Sequence, residues 1–266
     1  MSYTQLKVAI ISHNITWGDK EDNIITVAEH LSKIDPDTDV VVLPELFSTG
    51  FVSTTEHLYE MSETESGASI VNLIRWAQFF GVAICGSYLA KEGLTYCNRA
   101  FFVEPTGEIT YYNKRHLNSS NSEEKCYARG KEQSPIIRYR GWNISMLVCF
   151  DIYFPVWCRN VKNKIDLMLV PANWPKEREN IWEHLLIARA IENQYYVVGA
   201  NRSGVDDVGN YNSSIVVNYN GDIISKASNK SSKIAYAILD KKQLGLYREQ
   251  YAINMEADTF KLIDEL

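Results

Sequence analysis

The sequence predicts an α/β fold whose mixed sheets are covered by helices. Three observations carry that prediction. Short β-branched runs of strand length alternate with stretches of helical apolar spacing, turn signals join several of those runs directly, and nothing repeats at a fixed period. With 266 residues, 45% apolar and 23% charged, the chain can bury a sizeable core, and the lack of any linker-like stretch favours one domain over 1–266.

The elements follow in order. Leu6 to Ile11 is a β-branched strand run, and Ile24, Val27, Ala28 and Leu31 then recur at helical spacing until Asp35-Pro36-Asp37 ends the pattern. Asp39 to Leu43 is a second strand, halted by Pro44, and Ile70, Leu73, Ile74 and Ala77 mark a helix within Ile70 to Phe80. Val82 to Leu89 and Ala100 to Glu104 read as strands. Pro105-Thr106-Gly107 turns the chain into Glu108 to Tyr112, so a hairpin is expected there. Lys114 to Ser134 is polar and irregular, a long loop of the kind that is usually functional. Strands return at Ile136 to Tyr139, Ile144 to Cys149 and Asp166 to Val170, the last ending at Pro171. Trp182, Leu185, Leu186, Arg189 and Ile191 define a helix over Asn180 to Gln194. Tyr195 to Ala200, Ser214 to Asn218 and Lys233 to Leu239 complete the strands, with Asn220-Gly221 as a hairpin signal.

Composition narrows the partners. Thirty-three acidic against 27 basic residues give a net charge of −6 without a basic run, which disfavours nucleic acid and anionic membrane. The longest apolar runs fall well short of the ~20 residues of a spanning helix, and Met1 to Ile11 lacks the layout of a signal peptide, so the cytoplasm is expected. Five cysteines without a C-x-x-C pair argue against a disulfide framework and a structural zinc site. His13, His30, His57 and His184 form no ligand-spaced pair and no nucleotide-binding glycine motif is present, so neither metal nor cofactor is expected.

Three positions are candidates for chemistry. Cys149 closes a buried strand, and Asp151 in Phe150-Asp151-Ile152 is placed to cap a short helix whose N-terminus would favour the thiolate; a buried core cysteine is the alternative. Glu45, in Leu43-Pro44-Glu45-Leu46-Phe47, sits where a strand gives way to a loop, either solvated there or desolvated and fit to act as a base. Lys114 opens the long loop in Asn113-Lys114-Arg115-His116-Leu117 and alone would read as surface charge. His116 offers a rival Cys-His dyad with Cys149, against the commoner role of a structural hydrogen bond.

Taken in order, Pro44-Glu45, Lys114-Arg115-His116-Leu117 and Cys149-Phe150-Asp151 resemble the three signatures of the nitrilase superfamily, the carbon-nitrogen hydrolases. Trp142, Phe154-Pro155-Val156-Trp157, Pro171-Ala172-Asn173-Trp174-Pro175, Ala188-Arg189-Ala190-Ile191-Glu192-Asn193 and Ala200-Asn201-Arg202 extend the likeness over nearly the whole chain. The resemblance implies a four-layer α-β-β-α sandwich with Glu45 as general base, Lys114 as oxyanion stabiliser and Cys149 as nucleophile, with the Phe150 N–H sharing the oxyanion hole. It also implies a second glutamate before Gly130, which fits Glu123 best and leaves Glu124 as a rival. Asn118 and the Tyr211-Asn212-Ser213-Ser214 stretch depart from the common family pattern, which bears on the substrate pocket.

Pro44-Glu45-Leu46-Phe47-Ser48-Thr49-Gly50-Phe51, Asn173-Trp174-Pro175, the Trp182 helix and Tyr247-Arg248-Glu249 look most like the omega-amidase group. That likeness implies hydrolysis of the terminal amide of 2-oxoglutaramate or 2-oxosuccinamate, with another amidase or N-carbamoyl hydrolase of the superfamily, or a catalytically silent binding member, as alternatives. A dicarboxylate-derived substrate calls for a cation, for which Arg178 and Arg202 are candidates with Lys176 behind them. Phe47, Phe51, Trp174 and Tyr127 are candidate pocket walls. The family also implies a homodimer or larger assembly, with 244–260 a candidate interface stretch.

Overall fold

Alternation of buried side chains along the strands sorts this chain into layers. A computed structural model describes residues 4–52, 54–119, 123–206, 209–228, 233–258 and 260–261. In strand β1 (Gln5–Ile11), Leu6, Val8 and Ile10 belong to one core cluster, whereas Ala9 and Ile11 belong to another. The same division holds in β2 (Val40–Val42), where Val41 faces away from its neighbours, and in β3 (Ala83–Glu92), where Ile84 does. Successive side chains point to opposite faces of a strand, so one sheet feeds two cores.

The outer core lies under helices α1 (Lys20–Leu31) and α3 (Ala68–Phe80), which contribute Val27, Leu31, Ile70, Leu73 and Ala77. Asp19 caps α1 by accepting from Asp22 N, and Gly81 ends α3 in the left-handed conformation at φ 68°. These helices are the crossovers between β1, β2 and β3, which run parallel. β4 (Thr95–Val103) and β5 (Ile109–Asn113) continue the sheet antiparallel, and β14 (Ile234–Asp240) closes its other edge, giving the order β14-β1-β2-β3-β4-β5.

The inner core joins that sheet to a second one, also of six strands. β7 (Trp142–Met146), β8 (Leu167–Ala172) and β9 (Tyr196–Asn201) run parallel, with α5 (Glu179–Asn193) crossing between the last two. β6 (Ile137–Tyr139) adds antiparallel at one edge; β10 (Gly204–Val205) and β11 (Asn210–Tyr211) pair apart from the sheet; and β12 (Ser214–Val217) and β13 (Ile223–Ala227) add antiparallel at the other edge, giving the order β13-β12-β9-β8-β7-β6. Trp182, Leu186 and Ala190 of α5 cover the outer face, so the order of layers is helix, sheet, sheet, helix, as expected.

Some boundaries differ from the sequence reading for identifiable reasons. The β7 strand stops at Met146 rather than Cys149, because a 3₁₀ turn, Cys149–Tyr153, takes over. Pro171 lies inside β8 instead of ending it: β7 pairs only with Leu167 to Leu169, so beyond that point β8 has one neighbour and a missing N–H costs no ladder bond. The loop after Lys114 contains α4 (Glu123–Cys126). Two helices carry too few apolar residues to show in the periodicity: α2 (Thr55–Met61), which buries Leu58, and α6 (Lys241–Gln250), which buries Leu244. Among the described residues no helix is long and apolar enough to cross a membrane.

Candidate active site

The site forms where the parallel strands of both sheets end, the position at which an α/β fold leaves backbone groups and loops free to converge. After β2 the chain is pinned by Leu43 N–H to the Cys85 carbonyl and by Leu46 N–H to Ser87 Oγ, while Glu45 N–H reaches across to the Ala172 carbonyl of the other sheet. Glu45 is thereby held between the sheets and buried. Lys114 directly follows β5, its N–H donating to the Asn98 carbonyl and its own carbonyl accepting from Gly130 N–H.

These anchors bring four side chains together. Lys114 Nζ donates to Glu45 Oε1 at 2.8 Å and to Glu123 Oε1 and Oε2 at 2.7 and 3.0 Å. Asn98 Nδ2 donates to Glu45 Oε1 at 2.7 Å, and the Asn173 N–H donates to Glu45 Oε2 at 2.8 Å. Asn118 N–H satisfies Glu123 Oε2 at 2.8 Å. Cys149, only 8% exposed, lies close enough for the Glu45 and Lys114 charges to act on its thiol. Glu123, not Glu124, is the glutamate that enters this cluster.

Electrostatics follow from burial of one cation with two carboxylates. Burial alone would pull the Lys114 ammonium down, but Glu123, Glu45 and Cys149 together hold it well above its ordinary value. Glu123 is raised from the usual carboxyl value of 4.5, by burial first and by repulsion from Glu45, against the pull of Lys114. The Cys149 thiol is pushed well above 9.0 by burial and by the Glu45 charge, which outweigh the Lys114 attraction. A short 3₁₀ turn begins at Cys149, as expected, with Asp151 as its third residue and not its N-cap, while burial and the Glu45 charge favour the neutral thiol there.

Asp151 instead fastens the Cys149 turn to the Lys114 segment. Its Oδ1 accepts from His116 N–H at 2.9 Å and from His116 Nδ1 at 2.8 Å, and its Oδ2 accepts from Tyr112 Oη at 2.9 Å and Val148 N–H at 3.1 Å. His116 also stacks on Phe154 at 3.7 Å, so it sits in this bracing network and not beside Cys149 as a dyad partner. The brace surrounds a strained position, since Cys149 itself has φ 47°.

The expected pocket residues divide. Trp174 is buried and stacks on Tyr153 at 5.3 Å, and Phe150 packs 5.0 Å from Tyr153, so both join the aromatic wall around the Cys149 turn. Tyr127 is buried near the two glutamates, with its hydroxyl donating to the Val52 carbonyl at 2.7 Å. Phe47 is a correction: its ring is fully buried against Phe101 beneath α1 and α3, in the outer core. Arg178 lies half-buried with its guanidinium 5.5 Å from the Trp174 ring. Arg202, 2% exposed, pairs with Asp206, donates to the Ile15 carbonyl and covers Tyr211 at 4.3 Å. Lys176 is exposed.

Asn98 and Asn173 escaped the sequence reading. Asn98 gives no local signal within a buried strand, whereas Asn173 stands in the sequence only as part of the family-like Pro171-Ala172-Asn173-Trp174-Pro175 run.

The sequence model of the carbon-nitrogen hydrolase family matches residues 7–249. The chain belongs to the carbon-nitrogen hydrolase family. Among its curated relatives, the omega-amidase YafV of Escherichia coli K12 is 37% identical over 263 residues, covering 97% of this chain and 98% of the relative. The 2-oxoglutaramate amidase of Bacillus subtilis is 31% identical, covering 74% of this chain and 76% of the relative. Among solved structures, the carbon-nitrogen hydrolase XC1258 of Xanthomonas campestris, which carries an arsenic adduct in its active site, superposes with a TM-score of 0.91 at 30% identity, covering 97% of this chain and 99% of that one. Glu45, Lys114 and Cys149 all lie within the matched span and are buried together in this fold.

Proposed function

We propose that the chain hydrolyses the terminal amide of a 2-oxo-dicarboxylic acid monoamide, 2-oxoglutaramate or 2-oxosuccinamate, to the dicarboxylate and ammonia. The observation that carries the chemistry is the buried Glu45-Lys114-Glu123 cluster, whose charges act on the buried Cys149 thiol. The substrate class rests on the omega-amidase and 2-oxoglutaramate amidase relatives.

Glu45 takes the thiol proton as the sulfur attacks the amide carbon, which makes attack and deprotonation one event for a thiol held so far from ionisation. Lys114, kept cationic by its carboxylates, and the Phe150 N–H face the developing oxyanion. Glu45 then passes the proton to the departing nitrogen; the C–N bond breaks, ammonia leaves and a Cys149 thioester remains. Water, deprotonated by Glu45, attacks the thioester, releasing the carboxylate and returning the proton to sulfur. Glu123 orients Lys114 and stays outside the proton path.

Phe150, Trp174 and Tyr127 line the substrate side in this reading, with Arg178 as the cation for the distal carboxylate. One carbon-nitrogen hydrolase domain spans 1–266, working as a homodimer or larger assembly in the cytoplasm on a small-molecule amide. A second reading, another amidase or N-carbamoyl hydrolase, is favoured by Arg202 being already neutralised by Asp206. Ammonia release from 2-oxoglutaramate, glutamine, asparagine, N-carbamoyl-β-alanine and a simple nitrile decides between them. The first reading predicts activity on the oxo-amide that disappears in Cys149→Ala; turnover of another member alone supports the second.

A further inference from the structure

On the face of β3 that turns Ala83 and Cys85 into the inner core, Ser87 puts a fully buried hydroxyl where its neighbours put apolar groups. That hydroxyl lies against the turn that carries Glu45. Its Oγ accepts from Leu46 N–H at 2.9 Å, the Ser87 carbonyl accepts from Phe47 N–H at 3.0 Å, and the Ser87 N–H reaches the Pro44 carbonyl at 3.5 Å. Backbone bonds from β3 thus hold the two flanks of the turn, whereas the peptide unit between Glu45 and Leu46 is held from β3 by the Ser87 side chain.

That peptide stands in an orientation its own sequence resists. Leu46 is fully buried and has φ 49°, in the left-handed region, where the leucine Cβ crowds the backbone. Half a turn of the 45–46 peptide unit would return Leu46 to the extended range that any leucine adopts. Two hydrogen bonds oppose that turn, one at each end of the planar unit: Leu46 N–H to Ser87 Oγ, and Asn173 Nδ2 to the Glu45 carbonyl at 3.1 Å. Asn173 follows β8 of the other sheet, and its own N–H donates to Glu45 Oε2 at 2.8 Å. Rotation of the peptide therefore disturbs the carboxylate through its backbone and through Asn173 together. Without the Ser87 oxygen, the Leu46 N–H becomes a buried donor lacking a partner, and the strain acts unopposed at that end.

We propose that Ser87 is a positioning residue: it holds the Glu45–Leu46 peptide in its strained orientation and thereby sets where the Glu45 carboxylate stands. The inference rests on the reading of Glu45 as the general base. Steady-state ammonia release is compared for wild type, Ser87→Ala, Ser87→Cys and Glu45→Gln, on whichever of 2-oxoglutaramate, glutamine, asparagine and N-carbamoyl-β-alanine wild type turns over. Rates are expressed per folded molecule, with folding followed by circular dichroism.

Ser87→Ala is expected to lower kcat about 10²-fold, the scale for misplacing a reacting group by about 1 Å, and to leave KM unchanged, because the base and not the binding surface has moved. Ser87→Cys fills the same space but accepts only weakly, so it too lowers kcat, and it carries the test where Ser87→Ala loses the fold. A merely structural role predicts lost stability with wild-type kcat per folded molecule; that result in Ser87→Ala, or in Ser87→Cys where only the latter folds, overturns the proposal. Wild-type kcat in Glu45→Gln instead removes the base reading and the proposal with it. Should wild type turn over none of these amides, the substrate reading falls by itself and the crystal structure of Ser87→Ala decides the proposal: a rotated 45–46 peptide upholds it, and a peptide and carboxylate left in place overturn it.

Discussion

Gly130 is where the long loop comes back to the strand that carries Lys114. Its N–H donates to the Lys114 carbonyl at 2.8 Å, and its carbonyl accepts from Arg115 Nη1 at 3.1 Å. A Cβ added at this position would lie 1.9 Å from the Asn113 carbonyl oxygen and 2.8 Å from the Asn113 carbonyl carbon. Both partners are backbone, so no rotamer relieves the clash, and reaching even 3.0 Å requires the two strands of chain to part by more than 1 Å. Asn113 is the residue before Lys114, so the displacement is passed to the ammonium that bridges Glu45 and Glu123. Gly130→Ala is expected to destabilise the fold by about 1–3 kcal/mol, the usual range for forced overpacking. Misplacing a reacting group by about 1 Å is expected to lower kcat about 10²-fold. Thermal unfolding followed by circular dichroism, together with steady-state ammonia release, measures both. Unchanged melting and unchanged kcat in Gly130→Ala would refute the argument that this close approach sets the Lys114 position.

Gly245, inside α6 with open space around its Cβ position, gives the opposite expectation: Gly245→Ala raises stability by about 0.5–1 kcal/mol and leaves turnover alone, as melting and kinetics check. Lys114→Met leaves two buried carboxylates without their cation, so activity is lost and stability falls by about 3–5 kcal/mol near neutral pH. Because Glu123 is already raised in the folded state, its ionisation costs stability as pH rises above 4.5; in Lys114→Met that cost grows, so acidification towards this range restores melting temperature more than in wild type. The Cys149 thiol, raised well above 9.0, is expected to show no thiolate absorbance below that pH when wild type is compared with Cys149→Ser by ultraviolet difference spectroscopy.

The sequence by itself determined the layered α/β fold, because period-2 and period-3.6 apolar patterns are local and survive in the strands β1, β3 and β9 and the helices α1, α3 and α5. Glu45, Lys114 and Cys149 were singled out by their order along the chain and its resemblance to the family signatures, since each alone also reads as a solvated loop carboxylate, a surface lysine or a core cysteine. Helices α2 and α6 were hidden because each buries too little apolar surface to leave a period. Only the tertiary structure decided between Glu123 and Glu124, since adjacent residues on a short helix point in different directions and one alone reaches Lys114. It also placed Phe47 in the outer core and set the Cys149 thiol where burial and the Glu45 charge favour its neutral form. The physical reason is common to these cases: burial, the direction of a side chain and the sum of charges around a buried atom depend on residues far apart in sequence, and Asn98 meets Glu45 only because two strands and two loops close on the same point.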